Sequence, residues 1–334
     1  MGGTMMARET TTQSMAISRR AFCGSALAAA AFGGMASAGR AAQPAATVKF
    51  YKNLAPGHIG VRANQHQALD YAVKYGFQAI SPNEGQFADK SAAEIGDWLA
   101  LIKEKGIRYG AAGLPVEFRK DEEQFQNDLA TLPQRAKLMQ QLGVTRVATW
   151  LLPGHNEWTY LEHFKLLERR FRETANVLKD HGLRLGLEFV GPRTTRATFR
   201  YPFACAQRDM MELVHAIGTG NVGLLLDSWH WYTSHGTVDE LMQLSNQDVV
   251  HVHVNDAPAG IAVNQQKDSQ RKLPVTTGVI DMRGFINALV KIGYDGPVEV
   301  EPFDQEVRSM EPDAAVRVTA ESLQRVWELI NHTA

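Results

Sequence analysis

Four short apolar runs, each ending in a residue that can bind a metal or move a proton, constrain the fold of this chain most strongly. The runs are Leu183–Glu188, Val222–Asp227, Val249–His253 and Pro297–Glu301. None has an internal period, which favours strands buried on both faces of a parallel sheet. Because the carboxyl ends of such strands meet at one end of a barrel, we expect the four terminal side chains to share one divalent metal. The predicted ligands are Glu188, Asp227, His253 and Glu301.

Strand and helix patterns alternate from residue 48 to the end of the chain. Upstream of the four runs, strands are predicted at residues 48–51, 77–81, 107–111 and 144–150. Helices are predicted at residues 65–75, 91–105, 121–142 with a break at Pro133, 158–181, 207–217, 238–245, 282–292 and 314–330. Roughly eight units of about 35 residues predict an α/β fold with a closed parallel sheet, the (β/α)8 TIM barrel. A doubly wound open sheet is disfavoured because no glycine-rich phosphate-binding sequence follows the first strand.

Two connections are longer than a barrel requires, at residues 190–206 and 257–279. Each leaves the carboxyl end of a strand that carries a predicted ligand. Long ordered loops in compact domains usually act as lids or binding loops, so we expect both to border the site. A permissive insertion is the alternative.

The N-terminal 38 residues have the pattern of an export signal. Arg19 and Arg20 precede a weakly apolar run, residues 24–35, and the small residues 36–38 form a cleavage site. Together these features predict a twin-arginine signal peptide at 1–38, a linker at 39–47 and a barrel domain at 48–334, with a periplasmic location. An Ala-rich tail is the alternative. The apolar run is too short to anchor the chain in a membrane, and the twin-arginine export machinery is the implied partner.

Composition narrows the class of partner. The 334 residues carry a formal net charge of -1, and 44% are hydrophobic. Without a basic cluster in the mature part, nucleic acid is disfavoured as a partner, and a small-molecule substrate is expected. Cys205 is the one cysteine beyond the predicted signal, so the mature chain has no intramolecular disulfide.

Three carboxylates and one imidazole form a hard, mostly oxygen ligand set. Such a set favours Mn²⁺, with Mg²⁺, Co²⁺ or Zn²⁺ as alternatives. With no thiolate nearby, a structural zinc site is disfavoured. We therefore expect one catalytic divalent metal ion.

The motifs around the predicted ligands resemble those of the xylose isomerase-like TIM-barrel superfamily of sugar isomerases and epimerases, which includes tagatose and psicose 3-epimerases. The resemblance covers nearly all of the chain after the signal. Its most specific parts are Leu-Glu188-Phe, Leu-Asp227-Ser-Trp-His230, His251-Val-His253-Val-Asn-Asp256 and Val-Glu301-Pro-Phe.

This resemblance implies roles for individual residues. Glu188 and Glu301 become an acid/base pair that also binds the metal, Asp227 and His253 become ligands, and His230 contacts substrate oxygens. The implied reaction removes a proton next to a carbonyl and leaves a metal-stabilised enediolate. It implies a sugar isomerase or epimerase, and barrels of this family often pair as dimers or tetramers. Combined with the predicted signal peptide, it predicts an exported enzyme.

Other polar and aromatic residues near the predicted strand ends are less clearly assigned. Trp229, Arg193 and Asp256 are candidate substrate contacts; the alternatives are packing for Trp229, a solvated face for Arg193, and a loop cap or orientation of His253 for Asp256. Glu299 is a rival ligand expected to face away from Glu301. His251 is predicted to point outward, against a helix, as a structural histidine. His58 and Trp150 are also expected near the top of the barrel.

The motif leaves the reaction type open. The nearest alternative is a metal-dependent lyase or dehydratase acting on a keto-sugar, keto-glycoside or inosose, because the same proton abstraction can be followed by loss of a group. A sugar-binding protein without catalysis is the alternative from a different class.

Overall fold

The computed structural model describes residues 48–331; the predicted signal peptide and linker lie outside the described residues. Its strands are β1 (Tyr51–Leu54), β2 (Ala79–Ile80), β3 (Arg108–Tyr109), β4 (Ala111–Gly113), β5 (Arg146–Trp150), β6 (Gly154–His155), β7 (Arg184–Glu188), β8 (Tyr201–Pro202), β9 (Val222–Asp227), β10 (Val249–Val254) and β11 (Pro297–Val300). Its α-helices are α1 (Gln65–Tyr75), α2 (Ala92–Glu104), α3 (Glu122–Gln141), α4 (Tyr160–Asp180), α5 (Arg193–Arg196), α6 (Gln207–Ile217), α7 (Ser228–Thr233), α8 (Val238–Leu241), α9 (Met282–Lys291), α10 (Gln305–Arg308) and α11 (Pro312–Glu328). Among these helices, none has the length and apolar character needed to cross a bilayer.

The main sheet closes on itself. Nine strands within residues 48–331 form one parallel sheet in the order β3-β2-β1-β11-β10-β9-β7-β5-β4. Its two ends, β3 and β4, are separated in the chain by Gly110 alone, so they occupy one strand position of an eight-position barrel. A Cβ atom at Gly110 would overlap the side-chain amide of Asn53 on β1, which explains why glycine stands there. The predicted TIM barrel is confirmed.

Local sequence signals set most helix boundaries. Ser91 and Glu94 cap α2 reciprocally: the Ser91 Oγ accepts from the Glu94 backbone N–H, and the Glu94 carboxylate accepts from that of Ser91. Gly76, at φ 73°, ends α1 as predicted. The break predicted at Pro133 is wrong, because α3 continues through this position on its exposed face. The helix predicted at 238–245 ends early, at Leu241.

The strands that carry the predicted ligands are the most deeply buried part of the sheet. All six residues of β9 and all six of β10 are buried, as expected of strands covered on both faces. The first strand is predicted at residues 48–51, but β1 spans Tyr51–Leu54. Its position is set by pairing with the neighbouring strands: Tyr51 pairs with Pro297, and Asn53 pairs with Ala79.

Asp256 organises the long loop at residues 257–279. Its carboxylate accepts hydrogen bonds from the backbone N–H groups of Ala257, Thr277, Gly278 and Ile280, at 2.8–3.1 Å. These bonds hold the start of the loop, at Ala257, next to its end, at residues 277–280. Asp256 is therefore a loop cap, one of its two predicted alternatives, and this geometry replaces the predicted substrate contact.

Candidate metal centre

Four side chains from four strands converge at the carboxyl end of the barrel. Glu188 ends β7, Asp227 ends β9, His253 lies near the end of β10, and Glu301 follows β11 directly. One ligand atom from each lies within 4.8 Å of all the others. The His253 Nδ1 atom is 3.5 Å from Glu188, 3.7 Å from Asp227 and 3.4 Å from Glu301. The structure thus brings together the four residues predicted to share a site.

Two buried polar atoms in this cluster lack a hydrogen-bond partner among the described residues. They are Nδ1 of His253 and Oε1 of Glu188, and they face one another. An unpartnered buried polar atom costs free energy comparable to that of a lost hydrogen bond. A cation between them would satisfy both. The donor set and these two atoms therefore fit a divalent metal held by Glu188, Asp227, His253 and Glu301.

A buried arginine that the sequence analysis missed balances part of the negative charge. The Arg271 Nη1 donates to Asp227 at 2.8 Å and to Glu301 at 2.7 Å. Burial alone would raise the pKa of Asp227 above its usual range, but Arg271 and His253 outweigh it and the pKa is lowered. The pKa of Glu301 is likewise lowered, by His253 and then Arg271 acting against burial. Both carboxylates are therefore ionised near neutrality.

Glu188 differs from the other two carboxylates. Burial is the main cause that raises its pKa to about 7, and the negative charges of Glu301 and Asp227 add to the effect. For His253, the surrounding carboxylates, with Glu301 the strongest, overcome burial and raise its pKa well above the usual value. Without a metal, these two groups therefore hold protons near neutral pH.

Asn255 supports two of the four residues and was also missed. Its side-chain amide donates to both oxygens of Asp227 at 3.1 Å, and its carbonyl oxygen accepts from the backbone N–H of Glu301 at 3.2 Å. Ser228 in turn binds the backbone of Asn255, donating to the carbonyl and accepting from the N–H. These bonds fix the carboxylate of Asp227 and the backbone that carries Glu301.

Glu299 and His251 face the interior of the barrel. Both line the same cavity as Glu301 and His253, and their side chains approach to 3.4 Å. The predictions that Glu299 faces away from Glu301 and that His251 points outward are therefore wrong. Residues two apart on a strand lie on the same face. Glu299 therefore points inward with Glu301, and His251 points inward with His253.

His230, predicted to contact substrate, lies buried beside the cluster. The backbone N–H of Gly191 donates to its Nδ1 at 3.2 Å, and its Nε2 lies 3.0 Å from Arg271. Burial and the Arg271 charge lower its pKa to about 4, so the ring is neutral. Among the other predicted contacts, Trp229 is fully buried near Arg271 and Arg193 is exposed on α5. Neither lines the cavity that contains Glu301 and His253.

A cavity of about 590 Å³ opens directly onto the cluster. Glu188, His253 and Glu301 form part of its wall, and His58 and Trp150 line it as predicted for the top of the barrel. Trp150 is 46% exposed, and the Arg119 guanidinium lies 4.4 Å from the centre of its ring. Ala111, Ala112 and Gly113 also line the cavity. A cavity of this size with convergent polar groups fits a small polar organic molecule.

Comparison with known proteins supports this architecture. The family model described as xylose isomerase-like TIM barrel matches residues 69–326. A solved xylose isomerase domain protein from Alicyclobacillus acidocaldarius has a TM-score of 0.74 at 30% identity, covering 84% of this chain and 99% of that one. The inosose isomerase of Bacillus velezensis is 24% identical over 273 residues, 79% of this chain and 92% of its own length. The IolI protein, solved with a zinc atom, has a TM-score of 0.69 at 20% identity, covering 83% of this chain and 98% of its own.

The family match spans most of the chain and includes the strands that carry all four clustered residues. It agrees with the closed parallel barrel and with the position of the cluster at the carboxyl ends of its strands. The chain therefore belongs to the xylose isomerase-like TIM barrel family.

Proposed function

We propose that this protein is a divalent-metal-dependent sugar isomerase or epimerase that moves a proton on a carbon next to a carbonyl group. One observation carries the proposal: three carboxylates and an imidazole converge on the wall of a cavity, and two of their buried atoms have no protein partner among the described residues. A site for small-molecule chemistry needs this combination of convergent polar groups and enclosed space.

Two carboxylates are suited to proton transfer. Glu188 and Glu301 both line the cavity, where a substrate would lie. Glu188 is deprotonated when it holds a metal, and its carboxylate can then accept a proton from the substrate. Glu301 serves as the second group. It is ionised near neutrality, so it delivers a proton to the other position after taking one up from solvent. When bound, a divalent metal supplies Lewis-acid polarisation of the substrate oxygens beside the reacting carbon.

The comparisons support the class of reaction and of cofactor. A relative that aligns along 92% of its own length is an inosose isomerase. A structural neighbour binds zinc, while the oxygen-rich donor set here favours Mn²⁺. Elemental mass spectrometry of protein purified without added metal tests the identity of the ion. The exposed part of Trp150 offers an aromatic surface beside the cavity for contact with a sugar ring.

The proposal is tested by NMR of candidate keto-sugars and inososes incubated with the metal-loaded protein in D₂O. Deuterium entering the carbon next to the carbonyl, with the carbon skeleton and all oxygens retained, is the expected result. Loss of water or of an aglycone would instead support the lyase alternative. Binding without any exchange across the panel would support a sugar-binding protein and contradict the proposal.

Metal affinity is expected to rise with pH across neutrality. Burial raises the pKa of Glu188 to about 7, and the surrounding carboxylates raise that of His253. Both groups must release protons before they bind a metal, so acid weakens binding. Calorimetric titration with Zn²⁺ at about pH 6 and about pH 8, in buffers of different ionisation enthalpy, measures affinity and proton release together. An affinity independent of pH, with no proton released, would contradict this prediction.

We also propose that the protein is exported by the twin-arginine pathway. Changing Arg19 and Arg20 together to lysine is expected to leave the precursor uncleaved in the cytoplasm, because this pathway reads the arginine pair. Cell fractionation, with N-terminal mass spectrometry to locate cleavage after Ala38, measures the outcome. Arg40→Lys, beyond the cleavage site, is the matched control. Normal processing of the double variant would rule out this route.

A further inference from the structure

A second buried carboxylate lies next to the metal centre, on the same strand as its C-terminal ligand. Glu299 on β11 is 1% exposed. Inward-facing positions of such barrels are mostly filled by branched apolar residues, and burying a carboxylate is strongly unfavourable unless it is compensated. A charge placed here therefore calls for an explanation beyond packing.

The two oxygens of Glu299 have different surroundings. Oε2 accepts hydrogen bonds from the Asn53 side-chain amide and, at 3.1 Å, from the Ser81 hydroxyl. Oε1 faces three imidazole rings, at 3.0 Å from Nδ1 of His58, 3.1 Å from Nε2 of His253 and 3.4 Å from Nε2 of His251. Asn53 and Ser81 thus hold the carboxylate in place while its other oxygen is directed at the imidazoles.

His253 lies between the two groups of carboxylates. Its Nδ1 faces Glu188 and Glu301, and its Nε2 faces Glu299. A neutral imidazole has one N–H and one lone pair. A carboxylate at Nε2 holds the proton there, because it can accept a hydrogen bond and cannot donate one. The lone pair is then left on Nδ1, directed at the metal centre.

We propose that Glu299 is a positioning residue that fixes the Nε2–H tautomer and the ring orientation of His253, so that Nδ1 is the metal ligand. The inference rests on the proposed metal centre and adds to it the group that orients its only imidazole. Carboxylates that hold the second nitrogen of a metal-bound histidine typically change metal affinity 10–100-fold when removed.

The same residues admit a competing arrangement. His58, His253 and Glu299 offer atoms within 4.8 Å of one another and could themselves surround a cation. Two features favour the positioning role. Oε2 of Glu299 is already bonded to Asn53 and Ser81, and a second cation would require His253 to bind metals through both nitrogens, with no proton on either.

The test is a Zn²⁺ titration of the full chain, wild type against Glu299→Gln, with a competing chelator to measure the dissociation constant. We expect one ion per chain in both, bound about 10–100-fold more weakly by the variant. Glu321→Gln, the same substitution on the exposed side of α11, is the matched control and should leave affinity unchanged. Equal affinities for wild type and Glu299→Gln would overturn the inference while leaving the metal centre intact.

A second measurement needs no variant. In ¹⁵N-histidine NMR of the zinc-loaded wild type, His253 should show a protonated Nε2 and a metal-bound Nδ1. A metal-bound Nε2 would overturn the positioning role. In the Zn²⁺ titration, two ions bound by the wild type and one by Glu299→Gln would also overturn it, since Glu299 would then be a ligand. A wild type that binds no Zn²⁺ or Mn²⁺ would overturn the metal centre itself, and this inference with it.

Discussion

Replacing Glu188 with glutamine is expected to slow solvent-proton exchange into the substrate by about 10²–10⁴-fold, the usual effect of removing a general base. Glutamine has nearly the same shape but cannot accept the proton. It also weakens metal binding, so exchange is measured by NMR in D₂O at metal concentrations that saturate the variant. Glu321→Gln, on the exposed side of α11, is the matched control and should exchange at the wild-type rate.

The same substitution is expected to stabilise the metal-free protein at alkaline pH. The pKa of Glu188 is about 7 in the folded chain, above the ordinary value of 4.5 for this carboxyl. Between these two values the unfolded carboxyl is ionised while the folded one keeps its proton, so wild-type stability falls as pH rises from 4.5 to about 7. Glutamine does not ionise and avoids this loss.

If Glu188→Gln lowers the rate of proton exchange but raises stability, Glu188 has a functional role and is not needed for folding. A fall in exchange together with a rise in thermal stability of the metal-free protein at about pH 8 would support the assignment of Glu188. Loss of both would mean that the variant is simply misfolded. Exchange at the wild-type rate, with metal saturating, would show that another residue removes the proton.

Replacing Arg271 with methionine is expected to destabilise the metal-free protein by about 3–5 kcal/mol, the usual cost of leaving a buried charge without its partner. The guanidinium is 2% exposed and contacts Asp227, Glu301 and Asp268. Without it, the carboxylates of the metal centre repel one another. Methionine retains most of the apolar stem, so the effect reports the charge. Thermal unfolding after treatment with a chelator measures it.

Added metal should reverse most of this loss. A divalent cation supplies positive charge beside the same carboxylates, so the increase in melting temperature on metal addition should be larger for Arg271→Met than for wild type. Arg317→Met, an exposed arginine on α11 paired with Glu321, should change stability little. An equal metal-induced increase in wild type and Arg271→Met would show that Arg271 and the metal do not act on the same charges.

Much of the site could be predicted from the sequence because its residues close strongly apolar runs. Runs such as Leu183–Glu188 and Val222–Asp227 predict buried strands, and parallel strands in a barrel must bring their carboxyl ends together. The inward direction of Glu299 also follows from the period of two and its distance from Glu301. The opposite prediction misapplied that period, and the structure corrects it.

The local pattern of the chain thus determined the closed parallel barrel, the boundaries of most helices and the four residues that meet at its carboxyl end. Only the tertiary structure showed that Arg271 balances part of the negative charge of the centre, because the guanidinium reaches Asp227 from 44 residues away through a loop with no periodic pattern. Likewise, Asn53 and His58 meet Glu299 only because β1 pairs with β11. Strand endings are encoded locally, whereas the partners that fix charge and proton position depend on which distant segments the closed barrel brings together.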